Sequence, residues 1–334
     1  MSDLSIVIRC CNEEQHIGRL LTGIMQQTFR DVEIIIVDSG STDATLSMAS
    51  RYPVKIVSIR PENFSFGHSL NIGCQTAKGE FVVIASAHVY PMFNDWLEKL
   101  LIPLADSDVA LAYGKQRGNE TTRYSEHQIF ERWFPDESDP HQSHPFCNNA
   151  NAAIRRSLWE KVPYNENLTG LEDLDWAQRV TELGYKIAYM AEAEIIHVHN
   201  ESPARIYNRY RREAIALKQI CSHENFNLSD FFRLSTANII SDCFHACRNR
   251  ILFRNFRDIF MFRLMQFWGT YRGFSQYGPV SSQLKKKFYY PNSLSRSPKL
   301  NDEDKKKRCI DYSDSAGVQS CSAIKFMPFK RENK

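Results

Sequence analysis

Runs of apolar, β-forming residues, each followed by a stretch with helical period, constrain this chain more than any other feature. "LSIVI" (residues 4–8) is continuously apolar, which suits a strand buried on both faces. "VEIIIVD" (32–38) reads as a second buried strand, "VKIVSI" (54–59) as a third, and residues 81–85 as a fourth. Between them, residues 13–27 carry Ile17, Leu20, Leu21, Ile24 and Met25 on one helical face. Ser41 or Thr42 is placed to cap a second helix through Ser50, and residues 67–77 predict a third. Strands alternating with helices at this spacing predict an α/β fold with a doubly wound, mostly parallel, Rossmann-like sheet.

Ligands of such sheets bind beyond the carboxyl ends of the strands. Three polar clusters fall on that rim: residues 9–14 after the first strand, 38–43 after the second, and Ser86 to His88 after the fourth. A carboxylate at Asp38 can accept from a base N–H or a ribose hydroxyl there. Neither G-x-G-x-x-G nor G-x-x-x-x-G-K-[ST] is present, so dinucleotide and P-loop readings lose their main support.

The middle of the chain adds chemistry. Residues 147–168 read as a strand, a helix start and a loop, and residues 170–190 as a helix stopped at Gly184 and then a strand. "AEIIHVHN" (193–200) reads as a short strand with His197 and His199 on one face. Glu172, Asp173 and Asp175 open the helix. Three carboxylates there complement the helix dipole, which is the structural reading. A carboxylate is also what deprotonates an incoming hydroxyl. His88 alone after a strand reads as structural, but His88, His197 and His199 together form a ligand set. Imidazole suits borderline cations such as Mn2+, with carboxylate or phosphate oxygens completing the shell.

Composition bounds the rest. The chain has 334 residues, 43% of them hydrophobic, which suits one large α/β domain with additions, or two domains. A net charge of +3 is too mild to imply nucleic acid. The charge is uneven, however. From Arg205 the chain turns basic, and residues 236–274 mix Arg248, Arg250, Arg254, Arg257, Arg263 and Arg272 with a run of Phe and Trp. Such a segment suits an anionic membrane surface or a helical hairpin packed on the main domain, and the two are compatible. After about Lys285 the composition is that of a poorly ordered tail. Nine cysteines without a paired framework predict reduced thiols in a cytosolic protein. Cys243, His245 and Cys247 could hold zinc; the favoured reading places them on the buried face of a helix. The opening "MSDLSIVIRCCNEE" lacks the basic start of a signal peptide, and no run of about 18 uncharged apolar residues predicts a spanning helix.

Taken together, these blocks resemble the inverting family 2 glycosyltransferases, with a GT-A fold, over residues 4 to 215. The carriers are "SIVIRCCNEEQHIGRLLTGIMQQTFRDVEIIIVDSGSTDATL", "FSFGHSLNIGCQTAKGEFVVIASAHVYP" and "NNANAAIRRSLWEKVPYNENLTGLEDLDWAQRVTELGYKIAYMAEAEIIHVH". The F-x-x-G-x-x-x-N block and the H-x-H ending look most like bacterial rhamnosyltransferases of surface-polysaccharide synthesis. The division that follows is a GT-A domain over 1–215, a helical basic-aromatic extension over 216–284 and a tail over 285–334.

The resemblance implies roles by position. Asp38 would hold the base of a nucleotide-sugar donor, with Arg9, Asn12 and Glu13 nearby and Ser39, Asn71 and Ser86 in the same donor site. Asp173, beside Glu172, would be the general base that deprotonates a saccharide or lipid-linked acceptor, and Trp176 would shape the acceptor cleft. Ser86-Ala87-His88 stands where the family usually has Asp-x-Asp, whose last residue commonly holds the metal. His88, with His197 and His199, is therefore expected to bind Mn2+ or Mg2+; the rival is an imidazolium that pairs the diphosphate directly. A cytoplasmic enzyme, peripheral on the inner face of the cell membrane, is the expected setting. The alternative is an inactive nucleotide-sugar-binding paralogue, suggested by the missing first Asp and opposed by the intact Glu172-Asp173 pair and H-x-H. A nucleotidyltransferase would usually carry a Gly-rich loop after the first strand, and "RCCNEEQ" has no glycine.

Overall fold

The apolar runs become strands because helices cover both of their faces. In the computed structural model, which describes residues 3–276 together with 278, 280, 281, 284, 288 and 289, β1 (Leu4–Cys10), β2 (Val32–Asp38), β3 (Val54–Ser58) and β4 (Phe81–Ser86) lie parallel in the order β3–β2–β1–β4. They are connected by α1 (Ile17–Met25), α2 (Thr45–Ala49) and α3 (Phe66–Thr76). Successive side chains alternate between two cores. Ile6, Ile8, Ile34, Ile36 and Val83 join Ile17, Leu20, Leu21 and Ile24 of α1 in one. Val7, Ile35, Val37, Val82 and Ile84 join Leu70 and Cys74 of α3 in the other. Each buried aliphatic side chain contributes about 1.5–3 kcal/mol, so a one-residue slip of register is prohibitive.

The sheet continues through β5 (Val89–Pro91), α4 (Trp96–Leu101), β6 (Val109–Arg117), α5 (Tyr124–Trp133), β7 (Asp139–Gln142), β8 (Asn151–Arg155), α6 (Arg156–Lys161), α7 (Glu172–Glu182) and β9 (Lys186–His197). The full order is β3–β2–β1–β4–β8–β6–β9–β5, with β7 also on β9. β8 runs antiparallel between β4 and β6, β9 runs parallel to β6, and β5 and β7 pair antiparallel with β9. The result is the α/β, mostly parallel sheet that the sequence predicts.

Several local expectations change. Two strands were expected across residues 186–200. There is one strand of 12 residues, β9, and His199 lies beyond its end. The two expected halves meet at a bulge, where Gly114 pairs with Met190 but Gln116 with Ile195. Asn151 holds the bulge by donating Nδ2 to the Ala193 carbonyl at 2.8 Å while its Oδ1 accepts from Trp96 Nε1 at 2.9 Å. Neither Ser41 nor Thr42 caps α2, which starts at Thr45. The Ser41 hydroxyl instead accepts from the Asn12 amide, and the Thr42 amide donates to Asn12 Oδ1.

The chain ends its described part in a helical extension of α8 (Pro203–Ile220), α9 (Leu228–Arg248) and α10 (Leu252–Phe274). Ser202 caps α8 ahead of Pro203, and Asn227 with Asp230 forms a capping box on α9. A buried pair, Arg263 Nε to Asp242 Oδ2 at 2.7 Å, ties α10 to α9. Cys243, His245 and Cys247 do not line the buried face of α9. Cys243 is half-buried, His245 and Cys247 are exposed, and Asp242 and Ala246 take the inner positions. Among the described residues the three do not converge as a cation site either. Apart from 288 and 289, the expected tail over 285–334 lies outside the described residues. No described helix is long and apolar enough to cross a membrane.

Two glycines separate crowding from backbone strain. A Cβ on Gly114 would overlap the Ala193 carbonyl and the Asn151 carboxamide, whereas Gly184 has open space but φ of +92°. Urea unfolding is expected to show Gly114→Ala losing about 3 kcal/mol through overpacking. Gly184→Ala should lose only about 1–2 kcal/mol, the cost of a left-handed L-residue. Equal losses would refute the bulge account.

Candidate active site

The loops after β1 and β2 are stitched into one wall of the rim. Asn12, at φ 57°, accepts the Thr42 amide, the Glu13 amide donates to Thr45 Oγ1 at 2.7 Å, and the Glu14 amide donates to Asp43 Oδ2 at 3.1 Å. Asp38 is buried at the end of β2, where its carboxylate accepts the Gly40 and Ser41 amides at 3.1 and 3.2 Å. The Ser39 amide and hydroxyl both donate to the Cys10 carbonyl. Asp38 and Ser39 therefore shape the turn at the sheet mouth, and Asn12 latches it. Ser86 sits half-buried beside Arg9, its register partner across β1 and β4.

Beyond that wall, three imidazoles meet. The His88 and His197 rings stack with centroids 5.0 Å apart, and the His197 and His199 rings lie 4.0 Å apart. One ring nitrogen from each falls within 4.8 Å of the others. Each Nδ1 already faces an oxygen: Glu13 Oε1 at 2.9 Å from His88, Gln116 Oε1 at 2.8 Å from His197, and Glu126 Oε1 at 2.7 Å from His199. An Nδ1–H that donates to oxygen leaves the Nε2 lone pair free, and this outer support is the usual arrangement behind metal-binding histidines. His197 Nε2 is buried without a hydrogen-bond partner among the described residues. Burial, joined by the neighbouring His199 and His88, holds the His197 pKa well below its ordinary value, so the ring is neutral. At His88 burial works the other way from Glu13, and Glu13 wins, raising its pKa. Arg209 donates to Glu126 at 2.7 Å and also pairs with Glu201, which fills the acidic side of the cluster with a cation from α8. The donor set and the orphaned Nε2 fit a divalent ion held by His88, His197 and His199.

The third part is the start of α7. Leu171, its N-cap, takes a left-handed φ of 54°, a strained setting that turns the first helical residues into the rim. Arg9 donates to Glu172 at 3.0 Å and so pairs with that carboxylate. Arg9 and Arg212 cover the Phe66 ring, 4.9 and 4.5 Å from its centroid. Asp173 is half-buried and accepts the Asn149 amide at 3.1 Å and the Leu174 amide at 2.9 Å. Burial and then the Glu172 charge push its pKa up to about 7, so a carboxylate here can take a proton near neutrality.

Two expected site residues are structural instead. Trp176 is fully buried in the core, donates Nε1 to the Val162 carbonyl and packs on Tyr164, so it supports α7 from beneath and lines no cleft. Asn71 donates to the Tyr164 carbonyl and Glu166, and accepts from Trp159 and the Tyr164 amide. Both ends of its carboxamide fasten α3 to the 159–166 segment, which leaves nothing for a donor. Glu13 faces His88 at 2.9 Å. Asn149, Gln116 and Glu126 were not anticipated. Asn149 is buried beside Asp173, and neither end of its carboxamide has a partner among the described residues. The Asn148-Asn149 pair before β8 was its only sequence signal.

Residues 5–162 match the family described as "Glycosyl transferase family 2". The chain is 31% identical over 204 residues to the O-antigen chain rhamnosyltransferase WbaN of Salmonella anatum, a match taking in 55% of this chain and 62% of that protein. It is 26% identical over 220 residues to the O-antigen chain rhamnosyltransferase RfbN of Salmonella typhimurium, covering 62% of this chain and 70% of that one. Among solved structures it resembles the mannosyltransferase PcManGT from Pyrobaculum calidifontis, described in complex with GDP-Man and Mn2+. The TM-score is 0.57 at 19% identity, over 81% of this chain and 86% of that one, a likeness of fold.

The electrostatic account of Asp173 is open to direct measurement. In Glu172→Gln the Asp173 pKa, followed by NMR of the carboxyl carbon, is expected to fall from about 7 towards its ordinary 3.8. An unchanged value would mean that burial alone sets it.

Proposed function

We propose, from the match of residues 5–162 to glycosyl transferase family 2, that the chain transfers a sugar from a nucleoside-diphosphate donor to a saccharide hydroxyl with inversion. The observation that carries this reading is Asp173, a half-buried carboxylate with its pKa pushed up to about 7 at the strained start of α7. It reaches the donor rim through Arg9, which touches Glu172 and pairs in register with Ser86.

In the proposed step, Asp173 removes the proton from an acceptor hydroxyl. The oxygen attacks the anomeric carbon from the face opposite the diphosphate. The bond to the diphosphate oxygen breaks, and the nucleoside diphosphate leaves with that electron pair. Asp38 and Ser39 hold the turn against which the base would lie. Glu172 keeps Arg9 aimed at the rim, and the Asn149 amide holds the Asp173 carboxylate. His88, His197 and His199 would hold Mn2+ or Mg2+, which when bound supplies positive charge to the departing diphosphate. Glu13, Gln116 and Glu126 orient the three rings for that role.

The donor is proposed as a hexosyl or deoxyhexosyl nucleotide. Rhamnosyl comes first because two relatives are named as O-antigen rhamnosyltransferases. The acceptor is proposed as a growing saccharide or lipid-linked saccharide of a surface polysaccharide. It would be met by a cytoplasmic protein, peripheral on the inner face of the cell membrane.

A panel of nucleotide sugars, scored for nucleoside diphosphate release, tests the reading. One donor should turn over, with Asp173→Asn lowering kcat about 10^3-fold while KM moves little. Because the base must be ionised, kcat/KM of the native protein should fall as pH drops through about 7. That limb should vanish in Asp173→Asn; its persistence would move the base elsewhere.

Metal dependence needs its own measurement. EDTA should abolish release, Mn2+ should restore it, and His197→Ala should lose Mn2+ binding by calorimetry. Full turnover in EDTA would favour the imidazolium reading of His88.

A further inference from the structure

The hairpin joining α9 to α10 presents a surface that the rest of the molecule does not use. The link at residues 249–251 puts Arg250 at φ 58°, and Phe253 follows in the first turn of α10. Phe253 is 102% exposed, as open as in an extended peptide, and Phe244, Phe256 and Phe260 are 60%, 51% and 49% exposed. Phe253, Phe256 and Phe260, at spacings of three and four, share one face of α10. Isolated exposed apolar residues are ordinary, but four phenylalanines at one end of a hairpin form a patch.

The charge around the patch is of one sign. Arg248, Arg250, Arg254 and Arg257 are exposed, and none makes an ion pair with a described residue. The nearby acids are already neutralised: Asp242 by Arg263 and Asp258 by Arg123. We propose that this tip is a docking surface for anionic lipid, with the phenylalanines entering the acyl boundary and the arginines meeting the headgroups. Rings beside guanidinium groups on an amphipathic helix are the chemistry of an interfacial helix. A second copy of the chain fits less well, because a two-fold contact would set four unpaired arginines against four others. The proposal deepens the peripheral location given above, yet it rests on the hairpin's own residues and not on sugar transfer.

The full chain would be sedimented with vesicles of phosphatidylcholine alone or mixed with phosphatidylglycerol. Binding should be at least tenfold stronger to the anionic vesicles and should fall steeply in high salt. Phe253→Ser with Phe256→Ser should weaken it at least tenfold, since the fully exposed Phe253 ring loses no folded contacts and Phe256 is half exposed. Arg254→Ala and Arg257→Ala should each weaken it roughly fivefold. Circular dichroism and donor turnover in vesicle-free solution should match the native protein in all of these variants. Failure to bind anionic vesicles, equal binding to both lipids, or variants that partition like the native chain would overturn the proposal. So would a salt-insensitive dimer that the phenylalanine variants dissolve. Vesicle binding without any donor turnover would support the surface while overturning the transfer reading.

Discussion

Everything chemical in this protein depends on a sheet whose two faces are both closed. Once Ile6 and Ile8 are committed to one core and Val7 to the other, the middle of β1 has no place for a polar side chain. The same holds for β2 and β4. Charge and hydrogen bonding are thereby driven to the carboxyl rim, where Arg9, Asp38 and His88 appear within a residue or two of the last buried position. The mixed half of the sheet serves the same rim. β6 and β9 run parallel to β1, so the end of β9 delivers His197 and His199 to the side where β4 delivers His88.

Within the rim, opposing charges are distributed so that each group has one job. Glu13, Gln116 and Glu126 take the Nδ1 side of three imidazoles, and Arg209 balances Glu126, whose pKa is driven down against its burial chiefly by Arg209 and His199. Arg9 balances Glu172. Asp173 meets backbone amides and no cation in direct contact, and burial and then the Glu172 charge raise its proton affinity over what those amides and Arg9 take away. Had Arg9 paired with Asp173 instead, the pKa would have moved the other way and the group could not act as a base near neutrality.

The sequence made the sheet, its rim and the histidine triad legible because each rests on local pattern: apolar runs, polar ends, an H-x-H spacing. What it hid depends on contacts between distant segments. Asn71 resembles a ligand residue until Tyr164 and Glu166, more than 90 positions away, take both ends of its carboxamide. Trp176 follows the acidic residues of α7 so closely that only the helical turn, which points it inward, separates core from site. Gln116 and Glu126 sit in unremarked stretches, and only the bulge opposite Gly114 sets β6 against the end of β9. The α2 cap failed for a similar reason: Asn12 competes for Ser41 and Thr42 from 29 and 30 residues away.

The helical extension is joined to the rim by a polar bridge. Arg123, at the start of α5, donates to the Glu201 carbonyl through Nε at 3.1 Å and Nη2 at 3.0 Å, and pairs through Nη1 with Asp258 of α10. Glu201 follows His199 by two residues, and Asp258 follows Phe253 by five, about 7.5 Å along a helix. A single guanidinium thus spans the segment that carries the imidazole and the helix that carries the exposed rings. Arg209 adds a second link, from α8 to Glu126 and Glu201. Such short polar ties fix distance more firmly than a slippery apolar contact, because a guanidinium fork satisfies its partners in few orientations. The position of the hairpin relative to the histidine rim is therefore set by the chain's own polar contacts.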